Sequence, residues 1–247
     1  MPPKSTPAGG LVHGRLFRRR LISWFRRHGR NLPWRGTRDP YHVLVSEVML
    51  QQTQVSRVEG YYGRFLAEFP DVKSLARASP ARVREQWDGL GYYRRAANLH
   101  RLARKVVASF RGRIPDDVAA LRALPGVGRY TAGAVASFAF ERAEPAVDTN
   151  VARVLRRAFH PRAARNARGD QRLWDTAAAL LPRAGRGAWS FNQAIMELGA
   201  MICTARVARC DVCPVAELCK TGKRRTDGPA PTAAARRRSA QPAPGGR

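Results

Sequence analysis

The side chains best suited to chemistry in this chain of 247 residues are four cysteines and two carboxylates. The cysteines read Cys203, six residues, Cys210, two residues, Cys213, five residues, Cys219, with Pro214 directly after the third. They stand too close together to staple distant parts of a fold, and reducing cytosol disfavours disulfides, so a metal site is the better reading. Four thiolates at short spacing suit a tetrahedral zinc ion or an iron–sulfur cubane, and generic spacing leaves both open. Glu47 lies in the segment Tyr41 to Leu50, whose apolar residues surround a helix on nearly every side. A carboxyl buried there has a raised pKa and can hold a proton near neutral pH, as a general acid must. The alternative is a place on the helix's narrow polar stripe beside Ser46 and Gln54. Asp148 precedes the apolar-periodic stretch from Val151 and reads as a helix N-cap, which is compatible with a catalytic role.

Helices must position these groups. Apolar residues recur at three and four in Leu16 to Phe25, Val58 to Phe69, Leu99 to Phe110 and Trp174 to Leu181, and strand-like alternation is scarce. Asp39 as N-cap and Pro40 in the first turn open the helix that carries Glu47. Breakers from Pro33 to Pro145 predict short helices of about 8 to 15 residues. In Leu124-Pro125-Gly126-Val127-Gly128-Arg129-Tyr130, two glycines permit positive φ in a tight turn between a helix from Asp116 and another ending at Phe140. Such a turn leaves backbone N–H groups and a helix N-terminus free to hold a phosphate, although an ordinary αα-hairpin also fits.

Composition narrows the partners. Hydrophobic residues make up 44% of the chain, enough for a sizeable core, while 45 Lys plus Arg against 18 Asp plus Glu give a net charge of +27. Residues 221–247 contribute only +6 of this, so the body is basic too and attracts polyanions. Charge alone leaves DNA and RNA open. The start lacks the apolar region of a secretory signal and no run suits a membrane span, which predicts a soluble, cytoplasmic protein without a membrane partner. Residues 1–12 and 221–247, rich in Pro, Gly, Ala, Ser and Arg, read as disordered.

The cysteine spacing closely resembles the [4Fe–4S] loop of the endonuclease III and MutY group of DNA glycosylases, and the hairpin resembles their helix-hairpin-helix. Leu32-Pro33-Trp34-Arg35, Ser46 to Val55, Gly89-Leu90-Gly91-Tyr92-Tyr93 and Met196 to Cys203 are similar to signatures of MutY-type adenine glycosylases. The resemblance spans roughly residues 20 to 220 and implies an all-α fold of two lobes. One is a six-helix lobe over 36–142 with the hairpin; the other combines 13–35 with 143–220 and the cluster. It further implies a monomer acting on double-stranded DNA that contains a mismatch or oxidised base. Glu47 would protonate the departing base and ionised Asp148 would stabilise an oxocarbenium-like sugar. Asn150 and Tyr130 would support them, and Gly126, Gly128 and Tyr130 would meet the DNA backbone. Trp34, Arg35 and Glu197 resemble adenine-pocket residues, and Gln52, Leu90 and Tyr92 would prop the gap a flipped base leaves.

Bifunctional members of the group carry a Lys where Tyr130 stands, whose amine forms a Schiff base and drives strand cleavage. Tyr130 therefore implies a monofunctional enzyme that leaves an abasic site. Typical MutY proteins continue for another domain of about 100 residues that reads 8-oxoguanine. Here 28 residues follow Cys219, and Thr149 stands where many of the family have Gly. These departures keep a thymine glycosylase acting on T:G mismatches as the alternative. A non-catalytic iron–sulfur DNA-binding protein is a third reading, which needs neither carboxylate.

Overall fold

A computed structural model describes residues 8–183 and 185–226. Among these residues are twelve α-helices and two short 3-10 turns, and the one extended pairing is an isolated bridge between Cys203 and Ala208. The first eight helices are α1 (Ala8–His28), α2 (Pro40–Leu50), α3 (Val55–Glu68), α4 (Val72–Arg77), α5 (Pro80–Gln86), α6 (Arg94–Phe110), α7 (Val118–Arg122) and α8 (Arg129–Phe138). They are followed by α9 (Thr149–Phe159), α10 (Ala167–Leu180), α11 (Gly185–Met201) and α12 (Lys220–Thr226). The all-α class expected from the sequence is the one observed. No described helix is long and apolar enough to cross a membrane.

Side-chain caps set six of the twelve described helix starts. The Asp39 carboxylate accepts the N–H groups of Tyr41 and His42 ahead of Pro40, and Asp71 closes a capping box with Ser74. Asp117, rather than Asp116, caps the helix before the hairpin; Asp116 pairs instead with Arg142. Helix lengths spread more widely than the breakers suggest. α1 has 21 residues and α6 and α11 have 17 each, while α4, α5 and α7 have only five to seven. The extension of α1 back to Ala8 overrides the reading of residues 8–12 as disordered, because a helix nucleated by the stripe from Leu16 gains one hydrogen bond for each residue it adds. α12 likewise carries order to Thr226. The remaining residues read as disordered, 1–7 and 227–247, lie outside the described residues.

The buried apolar residues form two cores. One is built from α2 to α8, seven helices where six were expected, and includes Phe65, Trp87 and Leu99. Leu32 and Trp34, grouped by the sequence with the N-terminal helix, pack in this core. The second joins Phe17, Leu21 and Trp24 of α1 to α9, α10, α11 and the residues around the cysteines. The chain crosses from one core to the other between Ala146 and Val147. Asn192 pins that crossing: its Nδ2 donates to Ser137 Oγ at 2.9 Å and Glu144 O at 2.8 Å. Asp148 thus follows directly on the seam, where both cores can present groups to one cleft.

Candidate active site

A cleft of about 1060 Å³ opens along this seam. Its walls are α2 with the turn Gln51–Gln54, the start of α8, the segment into α9, and the facing sides of α10 and α11. Glu47 enters from α2, buried to 5% exposure by the apolar neighbours that the sequence shows around it. The Tyr130 hydroxyl donates to Glu47 Oε2 at 2.7 Å, and no protein donor satisfies Oε1 among the described residues. Burial pushes this carboxyl up to about 7, helped by the negative charge of Asp148 and opposed by the Tyr130 hydrogen bond and the Arg35 charge. Burial, with both carboxylates close by, also holds the Tyr130 phenol well above its ordinary value.

Asp148 caps α9 by accepting Val151 N–H at 2.7 Å, and Asn150 Nδ2 donates to its other oxygen at 2.9 Å. Burial raises this carboxyl too, but both hydrogen bonds and the Arg153 charge work against the rise. Glu47 receives one neutral donor, a negative neighbour and the Arg35 charge, whereas Asp148 receives two donors and the Arg153 charge. Both carboxyls are raised by burial, but more donors work against the rise at Asp148 than at Glu47, the kind of asymmetry that can divide a pair of carboxyls between acid and anion. Arg153 continues outward from Asn150, reaching Asn150 Oδ1 at 2.7 Å, Gly199 O and the Cys203 carbonyl at 2.8 Å each. Gly199 permits this approach, since a Cβ there would lie 2.7 Å from that of Asn150.

The opposite wall carries a further carboxylate. Glu197 is 1% exposed and is held by Arg30 through Nε at 2.7 Å, Nη2 at 2.9 Å and the backbone N–H, and by Arg35 Nη2 at 2.8 Å. Burial would raise its pKa, but these donors outweigh it and bring the carboxyl down to about 2. Arg35 also donates to Gln193 Oε1 at 2.8 Å. Arg30 and Gln193 line the cleft without having been singled out from the sequence; only their distance in the chain from Glu197 or Arg35 hid them. Trp34 lines the cleft as well, edge-on to Tyr62.

The residues expected to prop the gap of a flipped base divide. Gln52 and Tyr92 are exposed and take left-handed backbone, at φ +56° and +47°. Leu90 is 3% exposed inside the first core, so it packs instead of projecting. In the hairpin, only Gly126 uses positive φ, at +78°, where a Cβ would collide with Asn98. Gly128 is extended at φ −90° and acts as the N-cap of α8. A Cβ on Gly128 would meet nothing within 4 Å, so the helix start is bare of side-chain caps and open to an external acceptor.

The four cysteines are free, and Cys203, Cys213 and Cys219 pack against the second core. Burial pushes the Cys213 thiol up to about 11, and the other three cysteines raise it further. Arg157 Nη1 lies 3.3 Å from Cys203 Sγ, and Gly222 N–H points at Cys219 Sγ at the same distance. Such donors suit sulfurs that carry negative charge. No three described His, Cys, Asp or Glu side chains converge as the ligands of a single metal ion do.

A helical, two-core fold with a glycine hairpin and acidic residues at the seam defines the class. Residues 45–176 match the family model described as HhH-GPD superfamily base excision DNA repair protein, and the chain belongs to that superfamily. It is similar to the adenine DNA glycosylase of Rattus norvegicus, 46% identical over 218 residues, covering 84% of this chain and 42% of that protein. It is equally similar to the adenine DNA glycosylase of Mycolicibacterium smegmatis, 46% identical over 196 residues, covering 79% of this chain and 66% of that one. The chain thus spans about two fifths of the rat relative and just under two thirds of the mycobacterial one. Among solved structures it resembles a thermostable thymine-DNA glycosylase, with TM-score 0.81 and 29% identity, over 87% of this chain and 99% of that one.

Proposed function

We propose that this chain removes adenine mispaired with 8-oxoguanine or guanine from double-stranded DNA, as a monofunctional N-glycosylase. The observation that carries the reading is the seam pair: a buried Glu47 with a carboxyl at about 7, beside a hydrogen-bonded Asp148 in the same cleft. Glu47 delivers its proton through Oε1 to the departing base. Asp148, oriented by Asn150 and the start of α9, stabilises the positive charge that develops on the sugar. Tyr130 tunes Glu47 and, lacking an amine, forms no Schiff base; no lysine is among the described residues lining the cleft. Arg35, with Trp34 and Glu197 beside it, forms the wall against which the extrahelical base would rest. Gly126, Gly128 and the first turn of α8 would hold a phosphate of the duplex.

We assign the cysteines to a [4Fe–4S] cluster. Four free thiols whose 6-2-5 spacing resembles the cluster loop of these glycosylases, with the Arg157 guanidinium near Cys203 Sγ and the Gly222 N–H near Cys219 Sγ, support that larger group. When bound, the cluster would supply structural closure of the loop and a site of electron exchange. Iron and acid-labile sulfide in equal amounts would support this assignment, and one zinc per chain would end it.

The thymine reading stays in view because the thymine-DNA glycosylase structure is matched over nearly its whole length, unlike the longer adenine glycosylases. The relatives at 46% identity favour adenine over the 29% of that structure. Base release from duplexes carrying A:8-oxoguanine, A:G or T:G, each with and without alkali, decides the matter. Adenine loss with strand breaks only after alkali is the expected result. Thymine loss from T:G would establish the alternative, breaks without alkali would overturn the role given to Tyr130, and no release from any duplex would leave a DNA-binding protein.

A further inference from the structure

One buried cation has no part in the chemistry described so far. Arg95, at the start of α6, is 8% exposed, and every hydrogen-bond acceptor of its guanidinium is a backbone carbonyl or a hydroxyl. Nη1 donates to Val48 O at 3.1 Å, Met49 O at 2.7 Å and Gln51 O. Nη2 donates to Thr53 Oγ1 at 2.9 Å, Leu90 O at 3.3 Å and Gly91 O at 3.2 Å. The guanidinium also lies over the rings of Trp87 and Tyr92, 5.5 and 5.3 Å from their centroids. Val48 and Met49 are among the last residues of α2, whose carbonyls have no partner within the helix. Gln51 and Thr53 flank Gln52; Leu90 and Gly91 immediately precede Tyr92. One planar group thus joins the end of the helix that carries Glu47 to two turns far apart in sequence, each bearing an exposed residue in left-handed backbone.

We propose that Arg95 is a positioning residue for base extrusion: it clamps the two turns so that Gln52 and Tyr92 enter the duplex as a rigid pair and fill the space of the flipped base. This rests on the glycosylase reading. Burying a cation without a carboxylate is costly, and a fold that needed only volume here would do better with an apolar side chain. The four Nη hydrogens share six acceptors arranged around a planar fork, while the buried Nε–H has no partner; that spread suits arginine, whereas an ammonium would reach only some of the acceptors. Filling a gap in stacked bases demands fixed geometry, because a mobile turn would lose in ordering what it gains in contact.

The test compares Arg95→Met and Arg95→Lys with the parent on two substrates, one with the target base paired in the duplex and one with it in an unpaired bulge. 2-Aminopurine in the target position reports unstacking without requiring bond cleavage. On the paired duplex, Arg95→Met should cut both the fluorescence rise and base release by about tenfold or more, the scale of losing charge-assisted hydrogen bonds. On the bulge, where little extrusion work remains, release should stay within about threefold of the parent, and Arg95→Lys should fall between. Equal losses on both substrates, or no loss on either, would overturn the proposal. If Arg95→Met does not fold, Arg95→Lys carries the same comparison. A parent that unstacks 2-aminopurine yet releases no base would refute the glycosylase reading alone.

Discussion

Two glutamates, Glu47 and Glu197, face the same cleft from different cores, both almost wholly buried, and they are tuned in opposite directions. Glu47 sits at about 7 and Glu197 at about 2. Burial raises both; the difference lies in their partners. Glu47 has one neutral phenol as donor, and its acidic neighbour opposes the Arg35 charge, so burial prevails. Glu197 has two guanidinium groups and a backbone N–H, so it is held as an anion. A buried carboxylate's charge is therefore set by the donors around it, and one cleft can hold an acid and a fixed counter-ion a helix apart.

The sharpest way to break this comparison is to neutralise each side. Glu47→Gln removes the acid and should lower single-turnover base release by about 10³-fold, within the range for general acid catalysis, while duplex affinity holds. A loss under tenfold would mean that the departing base takes its proton elsewhere. Glu197→Gln should act on stability, by about 3 kcal/mol in denaturant unfolding, since it strands Arg35 and the inner part of Arg30 without their anion. An unchanged midpoint would show that the pair is replaceable by neutral hydrogen bonds.

Proton linkage separates the two by sign. Between pH 4.5 and about 7 the folded chain keeps the Glu47 proton that the unfolded chain has released. This carboxyl therefore erodes stability by about 3 kcal/mol as pH rises through that window. Glu197 does the reverse, since its stabilisation is present above pH 4.5 and is lost as pH falls toward about 2. Relative to the parent, Glu47→Gln should gain stability from pH 5 to pH 8, and Glu197→Gln should lose its deficit below pH 4. Urea midpoints measured across pH decide this, and a difference that does not vary with pH would contradict both assignments.

The two glutamates also show what the sequence makes legible. Glu47 was readable as a possible buried acid because its burial is local: the apolar residues that hide it are its own helical neighbours. Asp148 was readable as an N-cap for the same reason. The state of Glu197 depends on Arg30, which lies 167 positions away, and no local pattern shows that pairing. Arg95 is less visible still, because its acceptors are mostly carbonyls that every residue carries. Leu90 failed as a projecting residue because a turn sequence does not say which of its residues faces inward. The helical class followed from periodicity, but α1 outran its composition because propagation from a packed stripe is inexpensive once the helix exists.

The smallest effect concerns Tyr130, which touches only the Glu47 side. Its hydroxyl donates to Oε2 at 2.7 Å, and that bond favours the carboxylate against burial. Tyr130→Phe removes the donor and leaves Oε2 buried with no partner, so the proton should bind more tightly. The alkaline limb of base release, which the role proposed for Glu47 places near 7 in the parent, should then move to higher pH by about one unit or less, the worth of a single hydrogen bond. A limb that moved to lower pH would mean that the phenol accepts from a protonated Glu47 and holds its proton in place. Glu197→Gln makes the control, because its charge is fixed throughout this range and should leave the limb where it stands. Movement in both variants would mean that the two sides of the cleft titrate as one network.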